Sequence, residues 1–256
     1  MTRYPLALAR TLLVTAPAVV ILTAAVGTTT AVSSLFDPTG RFAHRIAQWW
    51  GRALLAAAGV KVRVTGLPAL TPGATYVFVA NHQSLYDVPV LFASLPYQLR
   101  IIAKESLGST PFVGWHLRRT GHILVNRRNP DREAILARWR NLVTSGLSLI
   151  IFPEGTRSAD GHVSRFKSGS FMLALQAGLP VVPLSVSGTR GVVPKGGFVV
   201  RPGLVTLTVH PPIDARARAG AAEPTAADAR AFAAEVRAIV TRGVEGGAGG
   251  RPASST

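Results

Sequence analysis

His82 stands five residues ahead of Asp87 in Asn81-His82-Gln83-Ser84-Leu85-Tyr86-Asp87, directly after the apolar run Thr75–Ala80. At the start of a helix, that spacing lets the carboxylate fold back onto one ring nitrogen. The tautomer is then fixed, and the other nitrogen faces a cleft as a base able to deprotonate a hydroxyl near neutral pH. A second loop, Phe152-Pro153-Glu154-Gly155-Thr156-Arg157-Ser158, follows the apolar run Leu147–Phe152. Gly155 permits close backbone approach, Thr156 offers a hydroxyl, and Arg157 offers a planar fork matched to phosphate oxygens. Between the loops, Arg100, Lys104, Arg118, Arg119, Arg127 and Arg128 form a basic stretch, and Lys167 adds a further cation. Taken singly, a His near an Asp as in the first loop is more often a structural ion pair than a catalytic one, and the second loop fits a tight turn carrying a solvated arginine as well as it fits a functional loop.

The surrounding sequence says what must position these loops. Lys61–Thr65 alternates like a strand, and Thr75–Ala80, Leu99–Ala103, His122–Val125, Leu147–Phe152, Val181–Val186 and Leu204–His210 read as further strands. Helical patterns lie between them: Asn81–Leu95 as a loop entering a helix, Pro130–Ser145 with Ile135, Leu136, Trp139 and Leu142 on one face, and Ser168–Ala177. A last helix starts near Thr225, where Thr225-Ala226-Ala227-Asp228 resembles a capping box, with Phe232, Val236, Ile239 and Val240 as its apolar stripe. This alternation predicts an α/β fold, a mostly parallel central sheet flanked by helices. In such sheets ligands gather at loops leaving the carboxyl ends of strands, which is where both loops fall.

The chain has 256 residues, 48% hydrophobic and 16% charged, which excludes a solvated disordered chain for most of its length. With 28 Lys+Arg against 12 Asp+Glu, a net charge of +16 favours an anionic partner. The absence of cysteine removes disulfides, thiolate metal sites and a cysteine acyl-enzyme. Aromatic residues make up 7% and no nucleic-acid motif is present, which argues against nucleic acid as the partner.

Thr11–Phe36 carries no charged side chain, and a helix through it would exceed the hydrocarbon thickness of a bilayer. Pro17, Gly27 and Thr28-Thr29-Thr30 weaken its helical character, and a cleaved signal peptide is the rival reading. Arg41–Val60 follows, with Phe42, Ile46, Trp49, Trp50, Leu54 and Leu55 at helical spacing. It fits either a helix at headgroup level or one packed on the domain. Residues 1–59 are thus expected to form a membrane-associated helical anchor and 60–242 the catalytic domain, with a Gly/Ser/Pro-rich disordered tail at 243–256.

The joint pattern resembles the glycerolipid acyltransferases related to 1-acylglycerol-3-phosphate acyltransferase. Asn81, His82 and Asp87 match that family's N-H-x-x-x-x-D block, Gly121–Arg127 its Gly-apolar-Arg block with Leu124 in place of the frequent aromatic, and Phe152–Ser158 its F-P-E-G-T-R-S block unchanged. Leu179-Pro180-Val181-Val182-Pro183 resembles the fourth block, so the likeness runs from about Val60 to His210. By this resemblance, His82 is the general base and Asp87 its orienting partner. Lys104, Arg127 and Arg157, with the turn Glu154, Gly155 and Thr156, would hold the acceptor's phosphate. The resemblance implies a membrane enzyme passing an acyl group from acyl-CoA or acyl-carrier protein to a lysophospholipid at an anionic membrane surface. The catalytic domain would lie on the cytoplasmic face, and no cofactor or metal is called for. Acyl transfer to another lysolipid or glycolipid stays open, since motif and fold do not fix the acceptor. A hydrolase is disfavoured by the lack of a G-x-S-x-G elbow and of H-E-x-x-H.

Overall fold

A computed structural model describes residues 3–126, 128–219 and 223–248. The chain opens with α1 (Arg3–Arg10), a π-helical turn (Thr11–Thr15), α2 (Ala16–Ser33) and α3 (Arg41–Ala58). Next come β1 (Val60–Thr65), β2 (Val77–Ala80), α4 (Asp87–Ser94), β3 (Leu99–Lys104), α5 (Val113–Arg119), β4 (Ile123–Val125), α6 (Arg132–Thr144) and β5 (Ser148–Ile151). The remainder is α7 (Gly169–Ala177), β6 (Val181–Ser187), α8 (Thr189–Val192), β7 (Gly203–Val209), α9 (Ala215–Ala219) and α10 (Ala226–Ala248).

The seven strands form one sheet in the order β1-β7-β6-β2-β5-β3-β4, parallel throughout except for the β6–β7 pair. This is the mostly parallel, helix-flanked α/β architecture that the strand–helix alternation predicts. The central strand β2 is buried on both faces, which is why it reads as a continuous apolar run rather than an alternating one. Phe78 and Ala80 join the core under α3 and α4, whereas Val77 and Val79 face Trp139 of α6, Phe171 of α7 and Phe232 of α10. Strands β2 and β5 are neighbours, yet the chain leaves them in opposite directions. After β2 it passes through α4 on one face to β3, and after β5 through α7 on the other face to β6. The crevice between their carboxyl ends is therefore a topological switch point, the place where such sheets bind ligands.

The amino-terminal helix begins at Arg3, earlier than the uncharged run, and passes through the residues expected to weaken it. Two of them, Gly27 and Thr30, are placed where the helix meets the body. A Cβ on Gly27 would sit 2.5 Å from the Phe112 Cα at the start of α5, so only glycine permits that approach. Thr30 Oγ1 meets His116 Nδ1 at 2.9 Å, and Thr23 accepts a hydrogen bond from Trp50 at 3.1 Å. Thr11 turns inward at the π turn and bonds the Val200 backbone. The helix thus lies against the body along its length, while Leu6, Leu13, Val20 and Ile21 stay exposed. α3 combines both readings of its sequence: Ala43, Ala47, Gly51, Leu54 and Ala58 are buried, and Trp49 remains 67% exposed.

At the other end, Thr225 and Asp228 form the expected capping box, each side chain accepting from the other's backbone N–H. The final helix then continues through Gly243 to Ala248, so residues 243–248 are helical rather than part of a disordered tail. Composition misleads there because Gly243 lets the helix approach the sheet. A Cβ would fall 2.6 Å from His210 Nε2 and closer still to Ser185 Oγ. Residues 249–256 lie outside the described residues.

Where α2, α3 and α5 meet β3 and β4, three histidines and Arg100 are buried, so Arg100 does not belong to the solvated basic stretch. Arg100 donates to the Leu99 and Thr39 carbonyls at 2.9 and 2.7 Å. His122 Nδ1 accepts from the Ile101 N–H, and His44 Nε2 lies 3.0 Å from the Tyr97 carbonyl. Burial first, and the Arg100 charge second, hold His44 down to about 3 and His116 down to about 4. Burial keeps His122 well below its ordinary range. Unfolded histidines take up protons near pH ~6.5 while these remain neutral until about pH 4 or below. The unfolded state therefore binds more protons in that window, and stability falls as pH drops from 6.5 towards 4. The slope is up to ~1.4 kcal/mol per pH unit for each such histidine. Thermal unfolding followed from pH 7 to pH 5 should show a falling midpoint, and His116→Gln should flatten the slope. A slope identical in the variant would assign the acid sensitivity to other groups.

Candidate active site

The register of β2 on β5 pairs Val79 with Ile151, and continuing it three places sets His82 opposite Glu154. The two loops are joined at that point. The His82 backbone N–H donates to Glu154 Oε1 at 2.7 Å, and the Ser158 N–H donates to the His82 carbonyl at 2.7 Å. Asn81 secures the other side, its side-chain amide bonding both the N–H and the carbonyl of Val186 on β6 at 2.8 Å. His82 thus leaves a central strand with its backbone held from both flanking strands.

Asp87 opens α4 and is fully buried. Its Oδ2 lies 2.7 Å from His82 Nδ1 and accepts the backbone N–H groups of Gln83 and Ser84 at 2.7 and 2.9 Å. With three donors converging on one oxygen, the role of the carboxylate towards the ring is to accept. Nδ1 therefore carries the hydrogen, and Nε2 holds the lone pair. The imidazole stacks on Phe152, ring centroids 4.3 Å apart, which limits its swing about the Asp87 bond. With 17% of its side chain exposed, His82 is open to a reactant while Asp87 is sealed beneath it. The fold brings the sequence-predicted pair into direct contact, with the histidine on the open side.

The remaining predicted residues divide. Gly155 adopts a φ of +74° at the tip of the second loop, a left-handed conformation that favours glycine. Thr156 is exposed and Arg157 half-buried beside it. Glu154 departs from the expected phosphate contact. Its Oε1 takes the His82 N–H and its Oε2 takes the Ser164 N–H at 3.0 Å, so both oxygens tie loops together. Burial pushes its carboxyl up, and those two N–H groups pull it partly back. An acidic oxygen would also repel the anion it was assigned. Lys104 ends β3, next to β5 in the sheet, so it faces the same crevice rim two strand spacings (~10 Å) from β2. Arg127 lies outside the described residues.

Sequence reasoning gave no role to three contributors. Phe152, Asn81 and Ser164 act through a ring face, a strand-like amide and a backbone N–H, none of which has a chemical signature in a one-dimensional reading. Lys167 was visible only as one cation among many. Its backbone N–H bonds the Pro153 carbonyl at 3.0 Å, and its Nζ would meet a Cβ on Gly155 at 3.0 Å. The outcome is a partly exposed imidazole held by a buried carboxylate, next to a loop carrying Arg157 and overlain by Lys167.

That arrangement can be compared with known proteins. A model of the acyltransferase family matches residues 61–187. The crystal structure of the 1-acyl-sn-glycerophosphate acyltransferase PlsC from Thermotoga maritima superposes with a TM-score of 0.73 at 30% identity, covering 89% of this chain and 90% of that one. This chain belongs to the acyltransferase family. Among the chain's sequence relatives is a 1-acyl-sn-glycerol-3-phosphate acyltransferase of Chlamydomonas reinhardtii, 39% identical over 176 residues, 65% of this chain and 52% of that protein. A lyso-ornithine lipid O-acyltransferase of Pseudomonas aeruginosa is 33% identical over 151 residues, 59% and 57% of the two chains. The chain spans about half the length of the curated relatives it matches.

Proposed function

We propose that this acyltransferase moves a fatty acyl group from a thioester, acyl-CoA or acyl-carrier protein, to the free hydroxyl of 1-acylglycerol-3-phosphate, giving phosphatidic acid. The observation that carries the reading is the His82–Asp87 pair, locked by Glu154 to the loop that holds Arg157. His82 Nε2 takes the proton of the acceptor hydroxyl as that oxygen attacks the thioester carbonyl. Asp87 stabilises the imidazolium that forms. The tetrahedral intermediate collapses, the carbon–sulfur bond breaks, and the imidazolium returns its proton to the departing thiolate. Nothing is bonded to the enzyme at any stage, which fits a chain with no cysteine. Arg157, Lys104 and Arg127 bind the acceptor's phosphate, supported by the Gly155–Thr156 turn. Four lines of support converge: the base, the cations, the family, and relatives named for this acceptor.

The helical segment from Tyr4 to Ser33 is long and apolar enough for a membrane, with 11% of its window buried in the protein. Because it is docked on the body along its length, we read it as lying within one leaflet rather than projecting across the bilayer. The exposed side chains Leu6, Leu13 and Val20 would enter the lipid, and the net charge of +16 would favour an anionic surface. The catalytic body would then sit on the cytoplasmic face, where acyl thioesters are supplied.

The relative named for lyso-ornithine lipid favours keeping a second acceptor in the test. Purified protein in vesicles, given labelled acyl donor of each type, should form phosphatidic acid from 1-acylglycerol-3-phosphate in preference to acylating lyso-ornithine lipid. Arg157→Ala should raise KM for the phosphorylated acceptor by about thirtyfold, corresponding to ~2 kcal/mol for a charge-assisted contact, with a smaller change in kcat. An unchanged KM would remove Arg157 from the phosphate site.

A further inference from the structure

Between α8 and β7 the chain makes an excursion, Val193-Pro194-Lys195-Gly196-Gly197-Phe198-Val199-Val200-Arg201-Pro202, that the catalytic reading leaves without a role. Its base is buried: Val193, Val199 and Val200 belong to the interior. Its tip, closed by a turn in which the Gly197 N–H bonds the Pro194 carbonyl at 3.0 Å, is exposed. At that tip Phe198 shows 63% of its surface, with Lys195 before it and Arg201 after it, both exposed. A phenyl ring held out by a turn and flanked by two cations is a poor solution for water and a good one for a lipid interface.

The contacts of the excursion say which surface it meets. Thr11 at the π turn donates to the Val200 carbonyl at 3.3 Å and accepts from the Val200 N–H at 2.9 Å, and Thr11 is 97% buried by these neighbours. The Arg201 guanidinium lies 5.9 Å from the centre of the Tyr4 ring. The excursion is therefore fastened alongside the apolar helix whose outward residues include Leu6 at 74% and Leu13 at 78% exposure. On its other side, Ser84 Oγ donates to the Val193 carbonyl at 2.8 Å, and Leu85 next to it is 60% exposed. One short segment thus joins the apolar helix to the loop that carries His82.

We propose that the Pro194–Phe198 tip is a second lipid-binding element, inserting Phe198 into the interface of an anionic bilayer while Lys195 and Arg201 hold headgroup phosphates. It rests on the reading that the Tyr4–Ser33 helix is membrane-embedded. The occupant is a lipid surface rather than a protein partner, because the tip is continuous with that apolar helix and its charge is wholly positive. Insertion here would seat the catalytic loop at the depth from which a lysolipid hydroxyl emerges.

The chain has no cysteine, so one introduced residue can be labelled without background. Full-length Gly197→Cys and Leu13→Cys, each carrying an environment-sensitive fluorophore, would be bound to phosphatidylglycerol–phosphatidylcholine vesicles containing spin-labelled quencher lipids. The proposal expects a blue shift and quenching at both positions. An aqueous signal at Gly197→Cys with an embedded signal at Leu13→Cys overturns the tip and leaves the helix reading intact. Aqueous signals at both positions overturn both. Phe198→Ala should lower kcat/KM on vesicle-borne acceptor roughly tenfold, the exchange of a lipid-buried ring for a methyl, and leave a monomeric short-chain acceptor unaffected. An equal loss on the monomeric acceptor would make Phe198 structural and overturn the proposal.

Discussion

Replacing His82 with alanine is expected to lower kcat by about 10³-fold or more, the usual contribution of a positioned general base. KM for the phosphorylated acceptor should change little, because the proposed phosphate site rests on Arg157 and its neighbours rather than on the ring. The fold should survive, since apart from its contact with Asp87 the ring takes no part in the hydrogen bonds that fix this loop. Removing the ring does leave Asp87 short of one donor, so Asp87→Asn is the informative companion. Its amide keeps the size but presents no full charge to the imidazolium, and if the NH2 turns towards Nδ1 it demands the wrong tautomer. A loss of about 10²–10⁴-fold in kcat, with the circular dichroism spectrum unchanged, is the expected reading. Near-normal turnover in His82→Ala would remove the base from the mechanism.

Glu154→Gln is the second large effect. The position demands two acceptors, one for the His82 N–H and one for the Ser164 N–H, and glutamine supplies only one. Whichever way the amide is turned, an N–H faces an N–H, and a buried donor is left unsatisfied at a cost of about 1–3 kcal/mol. The loss falls on the link between the two loops, so His82 and the Gly155–Arg157 turn should separate. We expect kcat to fall about 10²-fold, as misplacement of a reacting group does, together with a lowered unfolding midpoint. A phosphate-binding role would give a different signature, an altered KM with unaltered stability. Measuring both quantities on the same variant separates the two roles.

The Glu154 result shows where a one-dimensional reading stops. The contact between His82 and Asp87 was legible because it joins two side chains five residues apart on a local turn. The task of Glu154 is defined by partners 72 and 10 residues distant, and only the strand register reveals them. The strands themselves were legible from apolar runs, and most element boundaries agree within two residues. The amino-terminal helix was harder: Gly27 and Thr30 look like helix weakeners until α5 is found packed on them. Gly243 misled in the same way, its openness serving a close helix–sheet contact rather than a flexible tail. The buried Arg100 could not be told from its solvated neighbours, because alternation along β3 does not mark which face a long side chain takes.

The central claim is that a base and an anion cradle act together on a phosphate-bearing acceptor. It is tested most directly by competition in one vesicle preparation between 1-acylglycerol-3-phosphate and the same lipid without its phosphate, with acyl transfer to each followed by mass spectrometry. The account predicts a kcat/KM ratio of about 10² or more for the phosphorylated acceptor, the worth of about 3 kcal/mol from a desolvated charge-assisted contact, and a collapse of that ratio in Arg157→Ala. Equal use of both acceptors by the unaltered protein would contradict it.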